Sequence, residues 1–213
     1  MSKNLKISLL MVVGAVGLAF VAASAGGDGG PVETSEGGEA EVLVRPDSHL
    51  LSEGSSEVTF VEFLDFECEA CGAAYPAVEQ LREIYGDEVT FVVRHFPLHG
   101  NSEAAARAAE AAAAQGEFEA MYQRLFEAQA EWSHSDSSQE DVFFGYAEDL
   151  GLDMEEFRTV YDDPATLEKI QRDQADGEAL GVTGTPTFFL DGEKLEVQSF
   201  QEVVDRIDEA VGA

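Results

Sequence analysis

The only two cysteines of the chain stand three apart in DFECEACGAAYP, residues 65–76. Two thiols at this spacing on a helix lie one turn apart, close enough to close into a disulfide. A strand ending at Phe66 and a helix opening near Glu69 put Cys68 at a helix N-terminus. There, unpaired backbone N–H groups and the positive end of the helix dipole stabilise a thiolate. Cys68 is therefore the expected attacking sulfur, and Cys71 the covered sulfur that exchanges with it. Two other roles compete. A structural bridge across so small a ring removes little entropy from the unfolded chain. A zinc site would need His95 and His99, but they follow the cysteines at more than the usual ~12–15 residues, and His95 ends a buried strand. The redox reading is favoured.

Two further features bear on that chemistry. Glu62 interrupts the apolar run VTFVEFL, residues 58–64. A carboxyl buried there has a raised pKa and can accept or donate the proton that Cys71 exchanges. The alternative is a sheet face open to water, since buried glutamates are rare. Downstream, VTGTPTFFL (182–190) holds Thr185–Pro186, a candidate cis bond that would free the Thr185 backbone to pair with an extended peptide. The alternative is a proline that simply opens a strand.

The elements that must position these residues follow from pattern. Val58–Leu64 and Glu88–Phe96 read as strands buried on both faces, and Glu41–Val44 as a short first strand. A helix is expected from about Glu69 to Tyr85, bent at Pro76. An alanine-rich helical stretch over Ser102–Gln115 follows, then Phe118, Met121, Tyr122, Leu125 and Phe126 at helical spacing, read as core. Further helices are expected at Gln139–Leu150, Met154–Tyr161 and Ala165–Leu180. Pro186–Leu190 reads as a strand, Asp191-Gly192 as a turn, Lys194–Val197 as a hairpin partner and Phe200–Val211 as a closing helix. A βαβ unit and a ββα unit with helices between them make an α/β fold on one mixed sheet. Cys-x-x-Cys opening the helix of a βαβ unit reads as a thioredoxin-like redox motif.

The chain has 213 residues, 45% of them hydrophobic, which is ample for one domain with a core. Forty-three acidic residues face 12 basic ones, a formal charge of −31. Such a surface repels phosphate backbones and argues against nucleic acid. A halophilic source and an acidic secreted domain explain it equally well. Residues 1–25 read as a membrane anchor or signal peptide, with Lys3 and Lys6 before the apolar run Ile7–Ala25. The run is near the length of a spanning helix, whereas Ala23-Ser24-Ala25 fits a cleavage site. Either outcome puts the domain outside the cytoplasm, where disulfides persist. Residues 26–40 read as a flexible acidic Gly-rich linker.

VEFLDFECEAC, FVVRHFPLH and LGVTGTPTFFLDGEKL, with a helical block before the last, resemble the DsbA family of extracytoplasmic thiol–disulfide oxidoreductases. They are most similar to its membrane-anchored BdbD-like branch. The resemblance spans about residues 41–213. It implies a thioredoxin fold with an inserted α-helical domain, about residues 101–181, between the βαβ and ββα units. It implies Cys68 as nucleophile, Cys71 as resolving cysteine and Glu62 as the buried acid. Pro186 corresponds to the family's cis-proline, and Thr185 with it to the substrate-binding surface. The departure lies between the cysteines, where Glu69 and Ala70 stand in place of the usual proline and frequent histidine. Glu69, with Glu67 and Asp65, is expected to destabilise the Cys68 thiolate and moderate oxidising power, less so in high salt.

The implied activity is formation of disulfides in unfolded exported thiol proteins. No metal is implied, and no cofactor besides the redox-active Cys68–Cys71 disulfide. A membrane quinone-linked partner, DsbB-like or VKOR-like, would reoxidise a monomeric protein. Two alternatives stand beside it: a reductase or isomerase of the same fold, and a non-catalytic module holding peptides at Thr185–Pro186.

Overall fold

The computed structural model describes residues 42–196 and 199–212. The expected anchor or signal (1–25), the linker (26–40) and the end of the hairpin partner at Val197 lie outside them. Strands β1 (His49–Ser52), β2 (Thr59–Leu64), β3 (Thr90–His95), β4 (Thr187–Leu190) and β5 (Glu193–Lys194) form one sheet in the order β1-β3-β2-β4-β5. Only the β2–β3 pair is parallel. The first strand is a correction: residues 42–43 are helical, and β1 begins at His49. Leu43 is instead buried against Val61, Val92 and Phe189, while Arg94 donates to the carbonyls of Val42 and Leu43 at 2.6 and 2.7 Å.

Alternation along the strands sorts the two faces. Phe60 and Leu64 of β2, with Phe91 and Val93 of β3, face the larger core cluster, which includes Cys68 and Cys71. Val61, Phe63 and Val92 face the smaller one. Glu62, between Val61 and Phe63, therefore points to the cysteine side.

Helix α1 (Glu69–Tyr85) crosses from β2 to β3 and buries Cys71, Val78, Leu81 and Tyr85, one stripe at helical spacing. It runs on through Pro76 without interruption. Between β3 and β4 lies the helical block: α2 (Ser102–Ala113), α3 (Phe118–Glu127), α4 (Gln129–Trp132), α5 (Glu140–Asp149), α6 (Met154–Asp162) and α7 (Pro164–Ala179). Helix α8 (Phe200–Val211) closes the described chain. Phe118, Met121, Tyr122, Leu125 and Phe126 are core, as read. Phe126 packs on Phe66 and Tyr75 with ring centroids 5.2 Å apart in each case, which seats α3 behind the cysteine turn.

Helix α7 approaches the sheet so closely at Gly177 that a Cβ there would lie 2.8 Å from the Phe96 ring. Below it, the fully buried Arg94 pairs with Asp173 at 2.8 Å and also with Asp176. Asp191 and Gly192 turn the β4–β5 hairpin with φ of 50° and 89°, the left-handed conformation that two-residue hairpin turns require. Among the described residues, no helix is long and apolar enough to cross a membrane.

Candidate redox site

Cys68 is the N-cap of α1, with φ −70° and ψ 121°, and its sulfur is turned toward the Thr185 carbonyl at 3.3 Å. The Thr185–Pro186 bond is cis. The Cys68 sulfur and the segment before β4 thus meet. Cys71 is fully buried one turn on, while Cys68 keeps a 9% opening to solvent. Both are free thiols in this structure. Burial pushes the Cys71 thiol far up, and the charge of Glu62 adds to the shift.

Glu62 is 3% exposed, paired across β2 with Val93 of β3 and Phe188 of β4. The water-open alternative is thereby set aside. Burial, reinforced by the nearby Glu79 charge, pushes its pKa up to about 8. It is protonated at neutral pH and can hold or give up a proton within the physiological range.

The acids around the cysteines are not one cloud of charge. Asp65 is buried and accepts from the backbone N–H of Glu67 and of Leu98, both at 2.8 Å, and pairs with His99 Nδ1 at 2.6 Å. Glu67, 2% exposed, accepts from the backbone N–H of Asn101 at 2.6 Å and of His134 at 3.0 Å. These two carboxylates are clasps between the cysteine turn and the helical block. Glu69 does stand exposed, its Oε1 3.3 Å from His134 Nε2, and Ala70 is exposed beside it.

The zinc alternative does not assemble. His99 is engaged by Asp65, and His95 Nε2 lies 2.9 Å from Glu110 Oε1, away from the cysteines. His49 reaches the same Glu110 oxygen at 2.8 Å. Among the described residues, His49, His95 and Glu110 are the one His/Cys/Asp/Glu trio tight enough to hold a metal ion. Lys169 already places its ammonium 2.7 Å from Glu110 Oε2 and 2.8 Å from His49 Nε2. Burial works to raise Glu110, but its hydrogen bonds to His49 and His95 hold it far below the usual carboxylate range.

A family model described as Thioredoxin matches residues 45–209. The chain belongs to the thioredoxin family. Within that family, it superposes on a thioredoxin-like oxidoreductase from Silicibacter pomeroyi DSS-3 with a TM-score of 0.69 and 30% identity, over 81% of this chain and 98% of that one. The fold is that of the DsbA-type members. α-DsbA1 of Wolbachia pipientis gives a TM-score of 0.73 at 21% identity, over 82% of this chain and 96% of that one. Oxidised BdbD of Bacillus subtilis gives 0.66 at 20%, over 78% and 94%. In sequence, this thioredoxin-family chain is 39% identical over 147 residues to a protein of Herminiimonas arsenicoxydans named Na(+)/H(+) antiporter NhaA. That match covers 69% of the chain but 23% of the relative, so the chain spans about a quarter of the curated relatives it matches.

Two features of this thioredoxin-family site escape sequence reasoning. One is the double clasp by Asp65 and Glu67. The other is Gln129, whose Nε2 donates to the carbonyls of Phe66 at 2.8 Å and Cys68 at 2.9 Å.

Proposed function

We propose that this chain is an extracytoplasmic thiol–disulfide oxidoreductase that forms disulfides in unfolded exported proteins through Cys68 and Cys71. The observation that carries this reading is the meeting of a helix-capping, slightly open Cys68 with the Thr185 carbonyl, above a buried Cys71.

The cycle starts from the Cys68–Cys71 disulfide. A substrate thiolate attacks the Cys68 sulfur, the bond to Cys71 breaks, and the electron pair leaves on Cys71. A thiolate is costly at that buried position, and the protonated Glu62 supplies the proton that neutralises it. A second substrate thiolate then attacks the substrate sulfur of the mixed disulfide. Cys68 leaves as a thiolate, stabilised at the N-terminus of α1. The substrate is oxidised by two electrons, and the pair is left as a dithiol.

Thr185 and Pro186 hold the extended substrate, with the Thr185 backbone as its pairing edge. No cofactor takes part beyond the cysteine pair. A membrane quinone-linked partner, DsbB-like or VKOR-like, restores the disulfide, and the domain works as a monomer. Residues 1–25 deliver or anchor it, and 26–40 hold residues 41–213 away from the membrane.

Exposed Glu69 beside Cys68 favours the opposite direction, reductase or isomerase, because an anion there works against the thiolate. The reduction potential in a glutathione buffer decides between them. A value toward about −120 mV, the DsbA figure, supports disulfide donation, and one near thioredoxin's roughly −270 mV overturns it.

A further inference from the structure

We propose that Gln129 is a positioning residue for Cys68, its carboxamide clamping the cysteine turn so that the Cys68 thiolate is stabilised. The proposal rests on the thiol-exchange reading above and deepens it. The turn before α1 is held on one side by Asp65, whose carbonyl accepts from Cys68 N at 3.1 Å and whose side chain accepts from Glu67 N. On the other side, the Gln129 side-chain NH₂ bridges the Phe66 and Cys68 carbonyls. Those oxygens carry partial negative charge at the place where a thiolate must form. N–H groups donated to them offset that charge, and they fix the turn so that the first amides of α1 face the sulfur.

Gly72 provides the second, independent observation. A Cβ at Gly72 would lie 2.1 Å from Gln129 Oε1 and 2.8 Å from its Cδ. Glycine inside a helix is worth about 1 kcal/mol less than alanine, so α1 forgoes helix stability at its first turn where the Gln129 amide lies. The clamp itself is well seated. Gln129 opens α4, and three residues on the fully buried Trp132 donates to the Leu125 carbonyl at 3.1 Å and packs edge-on against Phe143. Through this amide the inserted helices hold the Cys68 backbone.

The two residues give two routes to the same loss. Gln129→Leu removes the donors at similar volume, and Gly72→Ala pushes the carboxamide aside without altering it. Each is expected to slow iodoacetamide alkylation of Cys68 at pH 7 by about three- to tenfold, the factor one net hydrogen bond is worth. The midpoint of the rate against pH should move upward, and the reduction potential should become more negative. The double variant should be no slower than either single. Unchanged rates and potentials in both singles would overturn the proposal, as would a double variant slowed by the product of the two factors. Equal destabilisation of the oxidised and reduced forms, with the potential unmoved, would mean a purely structural role and also overturn it. Should one variant not fold, the other still decides. Alkylation needs neither a protein substrate nor a direction of transfer, so failure of the oxidase reading leaves this result readable.

Discussion

The sulfur of Cys68 lies 3.3 Å from the carbonyl oxygen of Thr185, a residue 117 positions further along the chain. A thiol that is donating to this carbonyl gives up its proton to form a thiolate, and the oxygen then has no donor. An incoming peptide that supplies a backbone N–H to Thr185 satisfies the oxygen and arrives within reach of the sulfur. In the disulfide from which the proposed cycle starts, Cys68 likewise has no proton to donate, so substrate pairing and attack on the sulfur meet beside one atom.

The difference in exposure between the cysteines predicts different products. With Cys71 buried, glutathione disulfide should react at Cys68. Cys71→Ser is expected to accumulate a stable mixed disulfide on Cys68, because the resolving thiol is gone. Cys68→Ser should accumulate none and lose all exchange activity. Intact-mass measurement after incubation distinguishes them, and a glutathione adduct on the Cys68→Ser protein would reverse the assignment of roles.

Glu62 predicts a pH dependence of stability. Its folded pKa, about 8, lies above its ordinary value of 4.5, so between those values the native state binds a proton that the unfolded state has released. Stability from this group is highest below pH 4.5, falls as pH rises through the window and levels off above pH 8, by on the order of 5 kcal/mol at most. Glu62→Gln should flatten that slope and be more stable than the parent above pH 8. Urea unfolding of the reduced protein from pH 5 to 9 tests it, and parallel curves for the two proteins would refute it.

Glu69 is 81% exposed on its side chain and lies 3.3 Å from His134 Nε2. An exposed pair of this kind is worth less than about 1 kcal/mol, which corresponds to about 20 mV for a two-electron couple. Glu69→Gln is expected to raise the potential by no more than that, and by less in 1 M salt than in 50 mM. A shift several times larger would show that water does not screen this carboxylate.

Arg94 is expected to be the costliest surface-remote substitution. Replacing it with Met leaves Asp173 and Asp176 buried without their shared guanidinium and frees the Val42 and Leu43 carbonyls. Loss of one partner from a buried pair costs about 3–5 kcal/mol. Denaturant unfolding at pH 7 measures it, and a loss under 1 kcal/mol would mean that water reaches the pair.

The candidate site residues were legible because their types are conspicuous where they stand. The cysteine pair opens a helix, Glu62 breaks an apolar strand, and Pro186 precedes one. Helices α2, α3, α5, α6 and α7 were legible within a few residues because each carries a buried stripe at helical spacing, whereas α4, four residues long with Trp132 alone buried, was not. Strand β1 is not legible, since HLLS is too short to show an alternation. The direction of Glu67 was not legible because a turn residue has no periodicity to assign its face. Gln129 had one local sign, a glycine directly after Cys71 inside the helix, but nothing in the sequence names the group a glycine makes room for.

The helical block leaves the sheet after β3 and comes home against the same strand. His95, at the end of β3, donates its backbone N–H to Asp173 of α7 at 3.2 Å, and Gly177 of α7 rests on Phe96. An excursion whose departure and return share one landing place asks nothing of the register between β2, β3 and β4. Evolution can lengthen, trim or exchange such a detour while the cysteine turn and the Thr185 edge stay where they are. What a replacement must keep is small: a few contacts at the landing place, and a side chain that arrives where Gln129 does.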